Sequence, residues 1–330
     1  MTPPESAVRI GLIGAGRVAD IHRIAIAEVT GAQLVALTDA DAERARTKAE
    51  AWSVEHHPSV EALLADPRID AVLVLTHLDS HLAIARAALE AGKHVLVEKP
   101  VGKDPGEIRE VADLARARGL VAMPGHNYAY VPEYGRIQRL VRQGDLGKVR
   151  AVFVTYVIPH PEELASQYSG VLEEVMIHHT YLTTGVLGAP DRITAGTSTP
   201  GWKAYAAEDQ AWMAWDYDDG ACAQLFCSFA MEDVGHAPAT FVVKVLGTEG
   251  TAAMDWRTAI FQRPLATLPY AVVPYEESYA NEIAAFCTTI RGDAGLRSTM
   301  ADAAHAAAII ESAYRSAREL RAITRVEGAW

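Results

Sequence analysis

The sequence predicts a two-domain α/β chain. A doubly wound parallel sheet is expected over residues 1–125, and an α+β domain with a large open, mainly antiparallel sheet over 126–330. Three observations carry that expectation. The chain has 330 residues, half of them hydrophobic, enough for about two domains with separate cores. Up to residue 123, short β-branched runs alternate with helical stretches, the pattern of right-handed βαβ units around a parallel sheet. Beyond that point strand-like runs follow one another with little helix between them.

The elements read as follows. Val8–Gly14 is an apolar strand, and Arg17–Val29 a helix with Ile21, Ile24, Ala25 and Val29 on one stripe. Leu34–Thr38 is a second strand, followed by a helix over Ala40–Trp52. Ala71–Leu75 is a third strand, Ser80–Ala91 a helix closed by Gly92, and His94–Glu98 a fourth strand. The next helix has a strong start signal: Asp104 can cap it, Pro105 suits its first position, and Glu107 completes a capping box. Gly119 ends it before a strand at Leu120–Met123. The boundary falls near Gly125. A short helix around Glu133–Gln143 leads to strands at Arg150–Ile158, Arg192–Ser198, Gln210–Asp216, Ala221–Ser228, Thr240–Leu246 and Thr251–Trp256. Asp218-Asp219-Gly220 reads as a hairpin turn. One helix, Leu172–Leu187, interrupts the sheet, and helices at Glu276–Arg291 and Met300–Leu320 close the chain.

Charge and composition exclude several classes. The formal net charge is −12, with no Lys/Arg-rich run, so phosphate backbones are poor partners and no nucleic acid is expected. No apolar run reaches the roughly 18 residues that cross a bilayer, and MTPPESAVRI lacks the basic-then-apolar plan of a secretion signal. No membrane partner is expected. Three cysteines, Cys222, Cys227 and Cys287, form no CxxC pair and no disulfide framework. A reducing, cytoplasmic setting fits them.

The first strand runs directly into Gly14-Ala15-Gly16-Arg17-Val18-Ala19, and a helix follows. This is the GxGxxG/A fingerprint in the strand–turn–helix context it requires. Gly14 permits the tight turn, Gly16 lets the backbone approach a pyrophosphate, and Ala19 allows close helix–strand packing. The helix N-terminus supplies amide donors and partial positive charge for the anion. Asp39 ends the second strand, where a carboxylate accepts hydrogen bonds from ribose hydroxyls and repels a 2′-phosphate. The N-terminal domain therefore reads as a Rossmann domain that holds NAD, with NADP disfavoured.

Glu98-Lys99-Pro100 ends a strand of that sheet, and ligands of such sheets sit at the carboxyl ends of strands. Lys99 is thus placed beside the cofactor, although a lysine after a strand is by itself usually just solvated. Four segments in order, IGLIGAGRVADIH, AGKHVLVEKP, GHNYAYVP at 125–132 and GVLEEVMIHH at 170–179, resemble the family of glucose-fructose oxidoreductase, inositol dehydrogenase and MocA. The resemblance implies an N-terminal Rossmann domain followed by a domain built on a large open sheet. It implies that Lys99 contacts the substrate hydroxyl undergoing redox chemistry, that the segment from Thr76 through His77 to His81 lies beside the nicotinamide ribose, and that Thr76, His77, His81, Glu98 and Lys99 are among the cofactor-binding residues. It places Glu174 at an acid position four residues before a histidine, His178. Residues i and i+4 share a helix face, so a carboxylate there can orient the imidazole and leave its other nitrogen for proton transfer. Asn127, His178 and His179 become candidate substrate contacts. Three departures stand out: Glu174 replaces the family's usual Asp, His77 its usual Pro, and Ala129 a common arginine.

Glu174, His178 and His179 cluster, as do His56 and His57, but no HExxH motif is present and no metal is expected. The reading is an NAD-dependent dehydrogenase acting on a secondary hydroxyl or ketone of a sugar, glycoside or cyclitol, with Lys99, His178 and Glu174 as its catalytic residues. The alternatives are an NAD-retaining glycosidase or lyase working through transient oxidation, and a non-enzymatic sensor of NAD or sugar. An apolar open sheet face would pair with a second copy, giving a homodimer or homotetramer.

Overall fold

The fold is that of a computed structural model. It describes residues 7–159, 169–201, 207–231, 240–255, 261–263, 266–267, 275–293 and 295–319. The chain divides into two compact units, residues 1–136 with 271–307, and residues 137–270 with 308–330.

The first unit is built on a six-stranded parallel sheet. Its elements are β1 (Val8–Ile13), α1 (Arg17–Glu28), β2 (Ala32–Thr38), α2 (Ala42–Trp52), β3 (Glu55–His56), α3 (Val60–Leu64), β4 (Ala71–Val74), α4 (Leu78–Glu90), β5 (His94–Glu98), α5 (Pro105–Ala117) and β6 (Ala122–Gly125), with helix α6 (Pro132–Gln143) next along the chain. The spatial order β3-β2-β1-β4-β5-β6 reverses direction between β1 and β4, and that reversal is the crevice where doubly wound sheets bind ligands. Strands β4 and β5 are buried on both faces, which explains their unbroken Val/Leu runs. Val72, Val74, Val95 and Val97 pack with Ile108, Val111 and Ala115 of α5. Each of these valine and isoleucine side chains contributes about 1.5–3 kcal/mol by burial. Asp104 caps α5 as expected, accepting from Gly106 N at 2.6 Å. The two-residue strand β3 carries no sequence signal of its own; it forms because Ala36 and Leu37 of β2 offer it a free edge.

A single boundary near Gly125 differs from what is observed, because residues 271–307 return to the first unit. Tyr275–Ile290, here α9, lies against α1, with the Tyr279 ring edge-on to His22 at 5.1 Å. It also meets the 3₁₀ turn Asn127–Tyr130, where Asn127 Nδ2 donates to Ser278 Oγ at 2.9 Å. Met300, Ala303, Ala304 and Ala307 at the start of α10 (Met300–Glu319) join the parallel-sheet core.

The second unit is an eight-stranded sheet of β7 (Val149–Val157), β8 (Arg192–Ser198), β9 (Gln210–Asp216), β10 (Cys222–Ser228), β11 (Thr240–Gly247), β12 (Thr251–Asp255), β13 (Phe261–Arg263) and β14 (Ala266–Thr267). The order is β14-β13-β12-β11-β7-β10-β9-β8, antiparallel except where β10 runs parallel to β7. The hairpin turn lies where the sequence puts it: Gly220 adopts φ 81°, and Tyr217 N bonds Ala221 O at 3.1 Å. Alternate residues, such as Ala211, Met213 and Trp215 of β9, are buried on one face. The opposite positions are partly or fully exposed, with Trp212 38% exposed. The helix expected over Leu172–Leu187 is two helices, α7 (Val171–Glu174) and α8 (Met176–Leu187), because His178 N bonds Val175 O three residues back and tightens the turn at the β-branched Val175.

Candidate active site

The phosphate-binding turn has the geometry its glycines imply. Gly14 adopts φ 107°, and a Cβ there would lie 2.6 Å from the Leu75 carbonyl oxygen, so only glycine fits. A Cβ on Gly16 would meet nothing within 4 Å. The backbone at the start of α1 therefore faces open space, and no side chain caps that helix. Ala19 is fully buried, Val18 half-buried and Arg17 exposed. These features fit a pyrophosphate seated on the N-terminus of α1.

Asp39 sits at the end of β2 and is drawn onto that turn. Its Oδ2 accepts from Ala15 N at 2.5 Å, while Oδ1 accepts from Asp41 N at 2.8 Å and from Arg44 Nη2 at 2.7 Å. Burial works against its charge, but the Arg44 guanidinium and the two backbone amides win and hold its pKa below the usual carboxylate range. Arg44, one turn into α2, is a partner the sequence reading did not single out.

Lys99 stands one residue past β5. The registers align Ile13 with Val74 and Val74 with Val97. Gly14 and Leu75, one residue past β1 and β4, and Glu98, the last residue of β5, therefore lie at the carboxyl ends of neighbouring strands, and Lys99 follows about two strand spacings, or ~10 Å, from the turn. The Lys99–Pro100 bond is cis. Beneath it, Glu98 is buried: Oε2 accepts from Lys99 N at 2.9 Å, and Oε1 lies 2.9 Å from Nε2 of the fully buried His22. Burial alone would raise the Glu98 pKa. The hydrogen bond and charge of His22, together with Lys99, bring it below the usual range. His81 is buried as well, with Nδ1 2.8 Å from Pro100 O and Nε2 2.9 Å from Thr76 O, so it ties the ends of β4 and β5 together. Thr76 Oγ1 is 2.7 Å from Ser80 Oγ, and His77 is exposed at the start of α4. Asn127 is 1% exposed and committed to Ser278.

In the second unit, Glu174 is the last residue of α7, and its Oε1 lies 3.4 Å from Ser169 Oγ. His178 is on α8, buried, with Nδ1 2.5 Å from Tyr181 Oη. Between them Val175 keeps right-handed helical dihedrals, φ −115° and ψ −45°, and accepts the His178 N–H at 2.9 Å. His179 is fully buried beside Phe241 and Tyr156, and among the described residues neither ring nitrogen has a hydrogen-bond partner. Burial lowers its pKa to about 3, so it is a neutral core residue. His22, Arg44 and Tyr181 were missed by the sequence reading. Only Tyr181 left a local signal, three positions after His178 on a helix.

Among the described residues, one group could hold a cation: Glu55, His57 and Asp66. Arg68 already occupies it, with Nη2 2.5 Å from Glu55 Oε2 and 2.6 Å from Asp66 Oδ2.

Comparison with known proteins gives the family. Residues 8–126 match the oxidoreductase family with an NAD-binding Rossmann fold, and residues 134–253 match the GFO/IDH/MocA C-terminal domain. The chain belongs to the GFO/IDH/MocA oxidoreductase family. It is 28% identical to inositol 2-dehydrogenase of Rhizobium meliloti strain 1021, over 96% of this chain and 99% of that protein. It is 27% identical to D-apiose dehydrogenase of Paraburkholderia graminis, over 94% and 88% respectively. Its fold resembles that of a putative myo-inositol dehydrogenase from Sinorhizobium meliloti 1021, with a TM-score of 0.80, 25% identity and coverage of 96% and 98%. It also resembles UDP-N-acetylglucosamine 3-dehydrogenase from Acidithiobacillus ferrooxidans, with a TM-score of 0.81, 26% identity and coverage of 94% and 97%.

Proposed function

We propose that this GFO/IDH/MocA oxidoreductase is an NAD-dependent dehydrogenase that exchanges hydride with a secondary hydroxyl or ketone of a sugar, glycoside or cyclitol. The observation that carries the reading is the position of Lys99, at the same sheet edge as the phosphate-binding turn, with its backbone fixed by the buried Glu98. A bound nicotinamide supplies the hydride acceptor. Lys99 hydrogen-bonds the reacting oxygen and offsets the negative charge that develops on it. His178 takes the hydroxyl proton during oxidation and returns it during reduction. Glu174 supplies the nearby negative charge that favours the imidazolium. Gly14, Gly16 and the first turn of α1, with Asp39 at the ribose, hold the cofactor, and NAD is preferred over NADP. His77 borders the nicotinamide ribose, while Thr76, His81 and Glu98 shape the strand ends around it. Asn127 and His179 support the substrate region from buried positions and do not touch substrate. The chain works in the cytoplasm, and the open face of its eight-stranded sheet pairs two copies.

The test is a panel of sugars, sugar nucleotides, glycosides and inositols with NAD, read by reduced-cofactor absorbance. Lys99→Ala and His178→Ala should each lower turnover roughly 10²- to 10⁴-fold while leaving NAD affinity nearly unchanged. Near-normal turnover in either variant overturns that residue's assignment. Tightly held NAD that turns over a glycoside without net reduction would point to the glycosidase or lyase alternative. NAD binding with no turnover of any compound would point to a sensor.

A further inference from the structure

We propose that Tyr181 is the positioning residue of His178: its phenol oxygen accepts the Nδ1 proton and so keeps Nε2 as the basic nitrogen. The inference rests on the proton-transfer reading of His178 given above. Glu174, the partner expected from the sequence, ends α7, with Ser169 Oγ 3.4 Å from its carboxylate. Tyr181 lies on α8 itself, three residues after His178, a spacing that puts two side chains on one helix face. Its Oη is 2.5 Å from His178 Nδ1, and the two rings meet at 71° with centroids 5.5 Å apart. Both residues are at least nine-tenths buried, His178 at 5% and Tyr181 at 4% exposure, so the contact is made within packed surroundings rather than by two solvated side chains.

The chemistry follows from the tautomer. A neutral imidazole carries one proton, and it can accept a second at Nε2 only if the first sits on Nδ1. A phenol oxygen beside Nδ1 accepts that N–H and selects the required form. It also fixes the ring rotation, so that Nε2 points away from Tyr181. Near neutral pH a phenol is uncharged, so it orients the ring without the Coulomb attraction a carboxylate would add. The neighbouring His179 shows the contrast: equally buried on the same helix, it packs against Phe241 and Tyr156 and, among the described residues, has no polar partner on either nitrogen.

The experiment uses the full chain, without cofactor and with NAD, labelled with ¹⁵N-histidine. Imidazole ¹⁵N shifts report which nitrogen holds the proton, and the His178→Gln variant identifies the signal. The wild type should show His178 as the Nδ1–H tautomer. Tyr181→Phe, which keeps ring and volume, should shift the population towards Nε2–H while circular dichroism and melting stay close to wild type. On any substrate found in the panel, Tyr181→Phe should lower kcat about 10- to 100-fold, within the range general-base catalysis contributes, with KM changed less than about twofold. A wild-type His178 that is predominantly Nε2–H, or a Tyr181→Phe spectrum identical to wild type, overturns the proposal. The wild-type tautomer decides the question even if the variant folds poorly. Because the spectra need no substrate, a panel without turnover would count against the dehydrogenase reading and leave the Tyr181 result standing.

Discussion

Glu282 should make the protein less stable as pH rises, and Glu282→Gln should remove that loss. The side chain is fully buried on α9, and among the described residues neither carboxylate oxygen has a hydrogen-bond partner. Burial, and then the nearby Glu98 charge, raise its pKa well above the usual carboxylate value. The sign follows from linkage. An unfolded-state glutamate releases its proton near pH 4.3, whereas the folded state keeps it. The folded state therefore binds more protons above that pH, and stability falls as pH rises until the folded group ionises as well. One retained proton is worth about 1.4 kcal/mol per pH unit. Over two units within the window, the gap between Glu282→Gln and wild type should open by about 2.7 kcal/mol, or roughly 4 °C in Tm for a protein of this size. Glutamine is close to isosteric and leaves similar polar atoms buried, so the difference between the two pH profiles isolates the proton. Thermal melts of both proteins from pH 5.5 to 8 at constant ionic strength measure it. Parallel profiles would show that Glu282 ionises in the folded state near its ordinary pKa, and the account of its burial would fail.

The cofactor proposal predicts NAD affinity at least about tenfold tighter than NADP, by fluorescence titration at one salt concentration, because like charges a few ångströms apart at a half-buried site repel by kilocalories. Asp39→Ser should narrow that gap, and equal affinities in the wild type would refute the preference; Arg44, paired with Asp39 at 2.7 Å, is the residue that would then account for it. The open-face proposal predicts that Trp212→Asp lowers the mass measured by light scattering to that of a single chain. Trp212 lies on that face, with its indole over Gly196, where a Cβ would come within 2.5 Å of Nε1. An unchanged oligomer, or a wild type that is already monomeric, removes that surface from consideration.

The parallel-sheet unit was legible because its signals are local. A buried β4 or β5 is a run of Val and Leu whatever surrounds it, and the Gly14–Ala19 turn is dictated by backbone conformation and close approach. The alternating burial of β9 and the Gly220 turn were readable for the same reason. The address of α9 was not. Its pattern shows an amphipathic helix, but nothing in Tyr275–Ile290 says that its face meets α1 and the Asn127–Tyr130 turn rather than the second sheet. The break at Val175 was equally hidden, since valine is common within helices and the turn is set by a backbone bond from His178. The two adjacent histidines looked interchangeable in sequence. Packing separates them, leaving His179 neutral in the core and giving His178 a phenol.

The same long-range packing sets the surroundings of Lys99 apart from those of a solvated lysine after a strand. Its amide is held by Glu98, whose other oxygen is held by His22 from α1, the helix that also presents the phosphate-binding turn. The loop that carries the candidate electrophile and the helix that carries the candidate anion site therefore share one buried hydrogen-bonded link. Removing His22 would leave a buried carboxylate with one anchor fewer, and losing a partner in such a pair typically costs about 3–5 kcal/mol. A surface lysine would need no such support. Burying Glu98 has a desolvation cost that only the His22 and Lys99 contacts offset, and a fold that carries that cost directly beneath Lys99 fixes where its ammonium can reach.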